Sequence, residues 1–348
     1  MKIAIVGTTS WGTTLGIRLG LRGEEVRLWA RTEHEAERLR DDRENKRLLP
    51  GFTFPSTLSV TASLKEAVGG AGLVIFAVPS SSLRSNVQTV RDSLQAGMIL
   101  LSAVKGLERD TARRMSQVMA EELPAFLHRR ICVLSGPNLS QEIARGLPAT
   151  SVVAAGELGV AEEARSALMS PLFRVYVNSD VVGVELGGAL KNIIALGVGM
   201  SDGLGYGDNA KAALMTRGLA EIARLGVAAG AHPLTFSGLA GLGDLVATCS
   251  SPLSRNHRVG MELARGRPLP QVLASLGHVA EGIDTTVAAR RLAGELGVEM
   301  PIAQQMYRVL FEGLGVPEAV AELMARAPRH ELAGLDGGSG GGLPTGIP

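Results

Sequence analysis

Only six of the 35 basic residues in this 348-residue chain are Lys, and two of the six stand where their chemistry could be used. Lys191 lies within Gly187-Gly188-Ala189-Leu190-Lys191-Asn192-Ile193-Ile194-Ala195, so on a helix its neighbours three and four positions away are uncharged and mostly small. A small molecule can come close to an ammonium in such a place. Desolvation lowers the pKa of that group toward the range a proton-transfer residue needs; the plain alternative is a Lys snorkelling from a helix end. Lys105 follows the apolar run before Ser102-Ala103-Val104 and is expected at a strand's carboxyl end, where open parallel sheets bind ligands. Ser135-Gly136-Pro137-Asn138 reaches the same edge after another strand. Gly238-Leu239-Ala240-Gly241-Leu242-Gly243-Asp244 is a glycine-rich turn whose acid either caps a helix or orients a Lys or a substrate hydroxyl. Ser254-Arg255-Asn256 opens a helix behind Pro252. Ser254 reads as its N-cap, and free N–H groups, a positive dipole end and a guanidinium together suit a phosphate.

A second constellation stands at the N-terminus. Ile3-Ala4-Ile5-Val6-Gly7-Thr8-Thr9-Ser10-Trp11-Gly12 is a strand running into a helix start, with Gly7 for the tight turn and Gly12 for close helix–strand packing. Helix-start N–H groups there suit a pyrophosphate. Thr9 stands where the middle glycine of a G-x-G-x-x-G fingerprint would be, so the motif alone is also compatible with an ordinary strand–helix turn. After the second strand, Ala30-Arg31 replaces the acid that bonds an NAD ribose. Arg31 suits a 2′-phosphate and points to NADP as the preferred cofactor over NAD, although Glu33 could serve as the acid instead.

The elements that must position these residues divide into two kinds. Apolar runs over 2–6, 25–29, 73–78, 98–103, 131–134, 151–155 and 173–177 predict strands, several buried on both faces. Helical patterns such as 13–23 and 111–122 alternate with them, which argues for a parallel, doubly wound α/β sheet. From about residue 181 the runs at 184–200, 210–229, 245–248, 255–265, 270–276, 285–296 and 303–313 are helical. We therefore expect a doubly wound α/β domain over 1–180, an all-α-helical domain over 181–330 and a disordered glycine-rich tail over 331–348.

Composition narrows the function. Lys plus Arg is 35 against 34 for Asp plus Glu, which leaves no basic field for nucleic acid. The uninterrupted apolar runs fall short of the ~20 residues a membrane span needs, and the N-terminus lacks a signal-peptide pattern. Cys132 and Cys249 stand 117 positions apart and form no metal or redox motif. The expectation is a cytoplasmic protein without a metal.

The ordered segments Val104-Lys105-Gly106-Leu107-Glu108, Ser135-Gly136-Pro137, Gly187-Gly188-Ala189-Leu190-Lys191-Asn192, Gly199-Met200-Ser201-Asp202-Gly203, Thr216-Arg217-Gly218-Leu219-Ala220-Glu221, Gly238 to Leu245, Ser254-Arg255-Asn256 and Glu281-Gly282 closely resemble the bacterial-type NAD(P)-dependent glycerol-3-phosphate dehydrogenases. The resemblance runs from residue 1 to about 330. It implies a Rossmann-like domain, a helical domain and an active site between them. It implies Lys191 as proton acceptor, and Lys105, Gly136, Asn138, Asp244, Ser254, Arg255 and Asn256 at the substrate. It implies Ser10, Trp11, Arg31, Lys105, Ser140, Arg255, Val279 and Glu281, besides Gly7 and Gly12, at the cofactor. Departures are Thr9 in the fingerprint, Asn138 where the family has Ser or Thr, and Ser140 where it has Ala. The family's role implies interconversion of sn-glycerol 3-phosphate and dihydroxyacetone phosphate, for phospholipid synthesis, by a homo-oligomer expected to be a dimer. A dehydrogenase of the same architecture acting on a β-hydroxyacid would share the Lys but use another anion clamp, and a non-catalytic dinucleotide sensor would not need both lysines in one cleft.

Overall fold

The computed structural model describes residues 1–276 and 280–328. Its strands are β1 (Lys2–Val6), β2 (Glu25–Trp29), β3 (Glu44–Asn45), β4 (Leu49–Thr53), β5 (Leu58–Thr61), β6 (Leu73–Phe76), β7 (Ile99–Ser102), β8 (Ile131–Ser135), β9 (Ala149–Ala155) and β10 (Phe173–Asn178). Eight of them form one sheet in the order β10-β9-β8-β7-β6-β1-β2-β5, and β3 pairs with β4 apart from it. Alternation along β1 shows why the sheet is covered twice. Ile3 and Ile5 pack into one core with Leu15 and Ile17 of the first helix, while Ala4 and Val6 join Phe76, Leu83 and Val118 in another. β1 lies between β2 and β6, both parallel to it, so chain direction leaves a crevice beyond the carboxyl ends of β1 and β6.

The sheet differs from a wholly parallel one at its far side. β9 runs antiparallel to β8, with β10 parallel to β9. The chain leaves β8 through a short helix, Ser140–Ala144, and returns beside it without a full crossover. Strands β3 to β5 are not among those predicted from the sequence, and the helix predicted to start at 111 begins at Met115, after Ala112 with a φ of 56°.

Beyond β10 the described chain is helical. Asp180 caps the Val181–Gly203 helix by accepting from the N–H of Gly183, and also accepts from Thr235 Oγ1 at 2.6 Å. That helix is buried from Gly183 to Ser201 and is the axis of the second core. It is the one described helix long and apolar enough to cross a membrane, and 89% of its apolar window is buried inside the protein. The continuous apolar run read from sequence was shorter because Lys191, Asn192 and glycines interrupt it. Around it pack Gly207–Ala228, Asp244–Ser250, Arg255–Ala264, Glu281–Leu296 and Pro301–Phe311, with Val316–Met324 outside them, a helix the sequence reading missed. β10 ends at Asn178 and the central helix begins at Val181. The glycine-rich tail lies outside the described residues.

Candidate active site

The central helix meets the sheet at the end of β8. A side-chain carbon on Gly188 would overlap Ser135 Oγ, and one on Gly187 would lie 2.7 Å from the Ala240 carbonyl. These small residues let the helix close on the sheet edge, which brings Lys191 beside groups from both halves. Its ammonium donates to Asp244 Oδ1 and, at 2.5 Å, to Thr248 Oγ1. Lys105, after β7, donates to Asp244 Oδ2 and to the Gly136 carbonyl, each at 2.7 Å. One carboxylate, 1% exposed, thus holds two ammonium groups. Asp244 is the first residue of its helix, preceded by a five-residue π-turn, Leu239–Gly243, where an ordinary turn was expected. Gly243 is the N-cap, so the Asp244 side chain serves the lysines and not the helix end.

Electrostatics follow from this packing. Burial pushes the Lys191 pKa down to about 8, with Asp244 opposing and the Lys105 charge adding to the fall. Ser135 Oγ and Asn138 Oδ1 are buried without a partner, while Asn138 Nδ2 donates to Ser151 Oγ at 3.0 Å. Two acceptor-bearing groups therefore stand near this edge with capacity to spare.

The next wall comes from the Arg255–Ala264 helix. Ser254 caps it through the N–H of His257. Arg255 reaches solvent but is crowded on its other sides, and that desolvation draws its pKa down while Glu281 opposes it. Asn256 is a brace: Nδ2 donates to Asn192 Oδ1 at 2.9 Å and Oδ1 accepts from Gly282 N at 3.0 Å. Only its second amide hydrogen is left for a ligand. Glu281 spans the two halves by accepting from both the N–H and the hydroxyl of Ser80, beyond β6. Burial pushes its carboxyl above the usual range, with the Ser80 hydrogen bonds and Arg255 opposing. Thr248, Ser80 and Asn192 escaped the sequence reading. The only local signals were Thr248 four residues after Asp244 and Val78-Pro79-Ser80 after a strand.

At the N-terminal turn Gly7 has a φ of 114°, and a side chain there would meet the Ala77 carbonyl at 2.7 Å. Thr9 turns inward. Its hydroxyl donates to Ala77 O at 2.6 Å and accepts from Gly12 N at 3.1 Å, so it caps the Ser10–Leu21 helix and takes one N–H of the expected anion site. Asn45 staples the turn through Thr8 O, and Thr8 Oγ1 donates to Glu35. Ser10 and Trp11 open the helix, and Trp11 Nε1 is buried without a partner. Ser140 is tied to this helix through its carbonyl, which accepts from Thr14. Arg31 is exposed and makes no hydrogen bond or ion pair among the described residues, whereas Glu33 is paired with Arg40 at 2.5 Å. Val279 lies outside the described residues.

A glycine turn at the switch point of a mostly parallel sheet, together with a buried lysine–carboxylate–lysine group where the central helix meets the sheet edge, defines a dinucleotide-dependent oxidoreductase. Comparison with known proteins narrows the class. The N-terminal and C-terminal family models of NAD-dependent glycerol-3-phosphate dehydrogenase match residues 2–161 and 180–321. A protein named glycerol-3-phosphate dehydrogenase, NAD(P)+, from Dehalococcoides mccartyi (strain 195) is 53% identical over 96% of this chain and 93% of its own. One of the same name from Moorella thermoacetica is 50% identical over 96% and 99%. The crystal structure of glycerol-3-phosphate dehydrogenase from Coxiella burnetii superposes with a TM-score of 0.89 at 37% identity, covering 93% of this chain and 99% of that one. The chain belongs to the NAD-dependent glycerol-3-phosphate dehydrogenase family.

Proposed function

We propose that the cleft interconverts sn-glycerol 3-phosphate and dihydroxyacetone phosphate by hydride transfer with NAD(P). The observation that carries this reading is Lys191, with a pKa near 8, on the same buried carboxylate as Lys105. In the oxidation direction the neutral Lys191 amine takes the C2 hydroxyl proton, and in reduction the ammonium returns it. Asp244 fixes Lys191 and compensates its charge. Lys105 adds positive potential where the substrate oxygen carries developing negative charge. The free acceptor of Asn138 suits a substrate hydroxyl, with the Gly136 turn setting its place. Ser254, Arg255 and the remaining amide hydrogen of Asn256 hold the phosphate end, through a helix N-terminus and a guanidinium.

The residues at the N-terminal turn fit a dinucleotide. Gly7 and Gly12 keep the turn free of side chains, and Trp11 Nε1 is a buried donor still lacking an acceptor. Gly7, Ser10, Trp11, Gly12 and Ser140 would line the pyrophosphate side. Arg31 would meet the adenosine ribose, and Lys105, Arg255 and Glu281 the other end, Val279 being assigned by family resemblance alone. When bound, NAD(P) supplies the hydride acceptor or donor. The unpaired Arg31 supports NADP as the preferred form, because a 2′-phosphate gives it a partner.

The reading extends to a cytoplasmic enzyme supplying glycerol 3-phosphate for phospholipid synthesis, with Cys132 and Cys249 as buried free thiols. It also extends to a homodimer covering the apolar cavity of about 1030 Å³ beside Leu214, Met306, Val320 and Leu323; light scattering then gives about twice the chain's 36.3 kDa. The activity is tested by following NADPH oxidation with dihydroxyacetone phosphate, and a β-ketoacid in parallel. Turnover of the phosphate ester alone is expected. Turnover of the carboxylate alone would replace this reading with the β-hydroxyacid one, since guanidinium binds either anion.

A further inference from the structure

His257 is buried two positions beyond Arg255, in the first turn of the Arg255–Ala264 helix. Its Nε2 stands 2.7 Å from Asp202 Oδ2, and the same oxygen receives Lys211 Nζ at 2.7 Å. Asp202 closes the central helix and Lys211 belongs to the Gly207–Ala228 helix, so one carboxylate ties three helices together. Burial pushes the Asp202 carboxyl up, but the hydrogen bonds from Lys211 and His257 outweigh it and hold the group below its ordinary range. His257 Nδ1 is buried with no partner, an unfavourable state for a ring nitrogen. Asp202 is therefore the one hydrogen-bond partner that orients the ring among the described residues. The backbone is closely packed as well, since a side-chain carbon on Gly199 would overlap the His257 carbonyl. None of these groups takes part in the proton-transfer chemistry above.

We propose that His257, held by the Asp202–Lys211 pair, is a positioning residue for the phosphate end of the substrate. It fixes the rotation of the turn that presents Ser254, Arg255 and Asn256. The inference rests on that turn being the phosphate clamp. Asp202 stands eleven residues beyond Lys191 on the same helix, about 16 Å along its axis at 1.5 Å per residue. The device therefore acts on substrate affinity and leaves proton transfer untouched.

The test measures KM for dihydroxyacetone phosphate, kcat, KM for NADPH and competitive inhibition by inorganic phosphate. His257→Ala should raise the substrate KM and the phosphate inhibition constant together, by about tenfold, the scale of losing one charge-assisted hydrogen bond. Lys211→Met should raise both by a smaller factor, with kcat within about twofold of wild type and KM for NADPH rising less than the substrate KM, because Arg255 also stands at the cofactor end. His257→Gln, whose Nε2 can reach Asp202, should restore both constants. Should His257→Ala fail to fold, Lys211→Met decides, because Lys211 is only partly buried on an outer helix. Wild-type values for both constants in a folded variant would overturn the proposal, as would a fall in kcat as large as the rise in substrate KM or no recovery in His257→Gln. Arg255→Ala separates the two levels. If it too leaves both constants unchanged, the clamp reading itself fails; if it raises them and the His257 variants do not, only the positioning role fails.

Discussion

Raising the pH through 8 titrates Lys191, and the two directions of the reaction should respond with opposite signs. Oxidation of glycerol 3-phosphate needs the neutral amine, and reduction of dihydroxyacetone phosphate needs the ammonium. With its pKa at about 8, the neutral fraction is about one tenth at pH 7 and about nine tenths at pH 9, so kcat for oxidation should rise about tenfold across that interval. The reductive kcat should fall in mirror image. The structure also says what sets the midpoint. Burial pushes it down, Asp244 pushes it up, and the Lys105 ammonium on the same carboxylate pushes it down. Lys105→Met removes that like charge. A charge at such range moves a pKa by about 1–3 units, and the lower end applies because solvent reaches Lys105, whose side chain is 18% exposed. The midpoint should then move from about 8 to about 9, leaving about 1% neutral amine at pH 7. The assay is steady-state kcat in both directions with saturating substrate and cofactor. It is read above pH 7, because a phosphate monoester titrates near 6. A midpoint that stays or moves down in Lys105→Met, or a flat wild-type profile, would refute the reasoning. Lys191→Arg, which keeps the charge but does not release its proton near neutrality, should lower kcat at least ~10²-fold with cofactor binding little changed.

Arg255→Ala should raise KM for dihydroxyacetone phosphate about ten- to a hundredfold, from loss of roughly 1.5–3 kcal/mol, and change KM for unphosphorylated dihydroxyacetone far less; equal losses would show that Arg255 does not meet the phosphate. NADPH is expected to be preferred over NADH by kcat/KM, with Arg31→Ala erasing most of the preference and Thr9→Gly leaving the ratio alone; a wild type that prefers NADH counts against Arg31 as the reader of the ribose. Glu221, 1% exposed and bonded to the N–H groups of Ile302 and Ala303, has its pKa raised by burial to about 7. A carboxyl raised in the folded state stabilises below its unfolded pKa of about 4.5 and loses that contribution as pH rises through 7. Relative to Glu221→Gln, wild-type stability should therefore fall by about 2–3 kcal/mol between pH 5 and 8, measured by urea unfolding, and parallel curves would contradict the burial argument. Gly188→Ala, which drives a methyl into Ser135, should cost about 1–3 kcal/mol in the same assay and lower kcat by displacing Lys191 from Lys105.

What could be read from the sequence was whatever a single segment carries by itself. Seven strands showed as apolar runs because residues buried on both faces leave no polar alternation to confuse them. β4 stayed hidden because it contains Pro50-Gly51 and exposes most of its residues, and β5 because it is a four-residue edge strand. Strand direction was invisible too, since an apolar run reads alike both ways, so β9 and β10 were given the wrong sense. The site follows the same division. Lys191, Lys105 and Asp244 drew notice through their type and glycine-rich or strand-end settings, but what Asp244 does could not be chosen between cap and partner. The choice depends on contacts across 53 and 139 residues, which no local pattern encodes. Glu281 and Ser80 meet across 201. The glycines are where local and distant information join. Gly187 and Gly188 read as small neighbours that let a ligand approach Lys191, yet their space is taken by Ala240 and Ser135. The same small residues thus serve a different end. They let the helix settle on the sheet edge closely enough for two lysines to share one carboxylate, and the burial that this closure brings, helped by the Lys105 charge and opposed by Asp244, is what pulls Lys191 toward a working pKa.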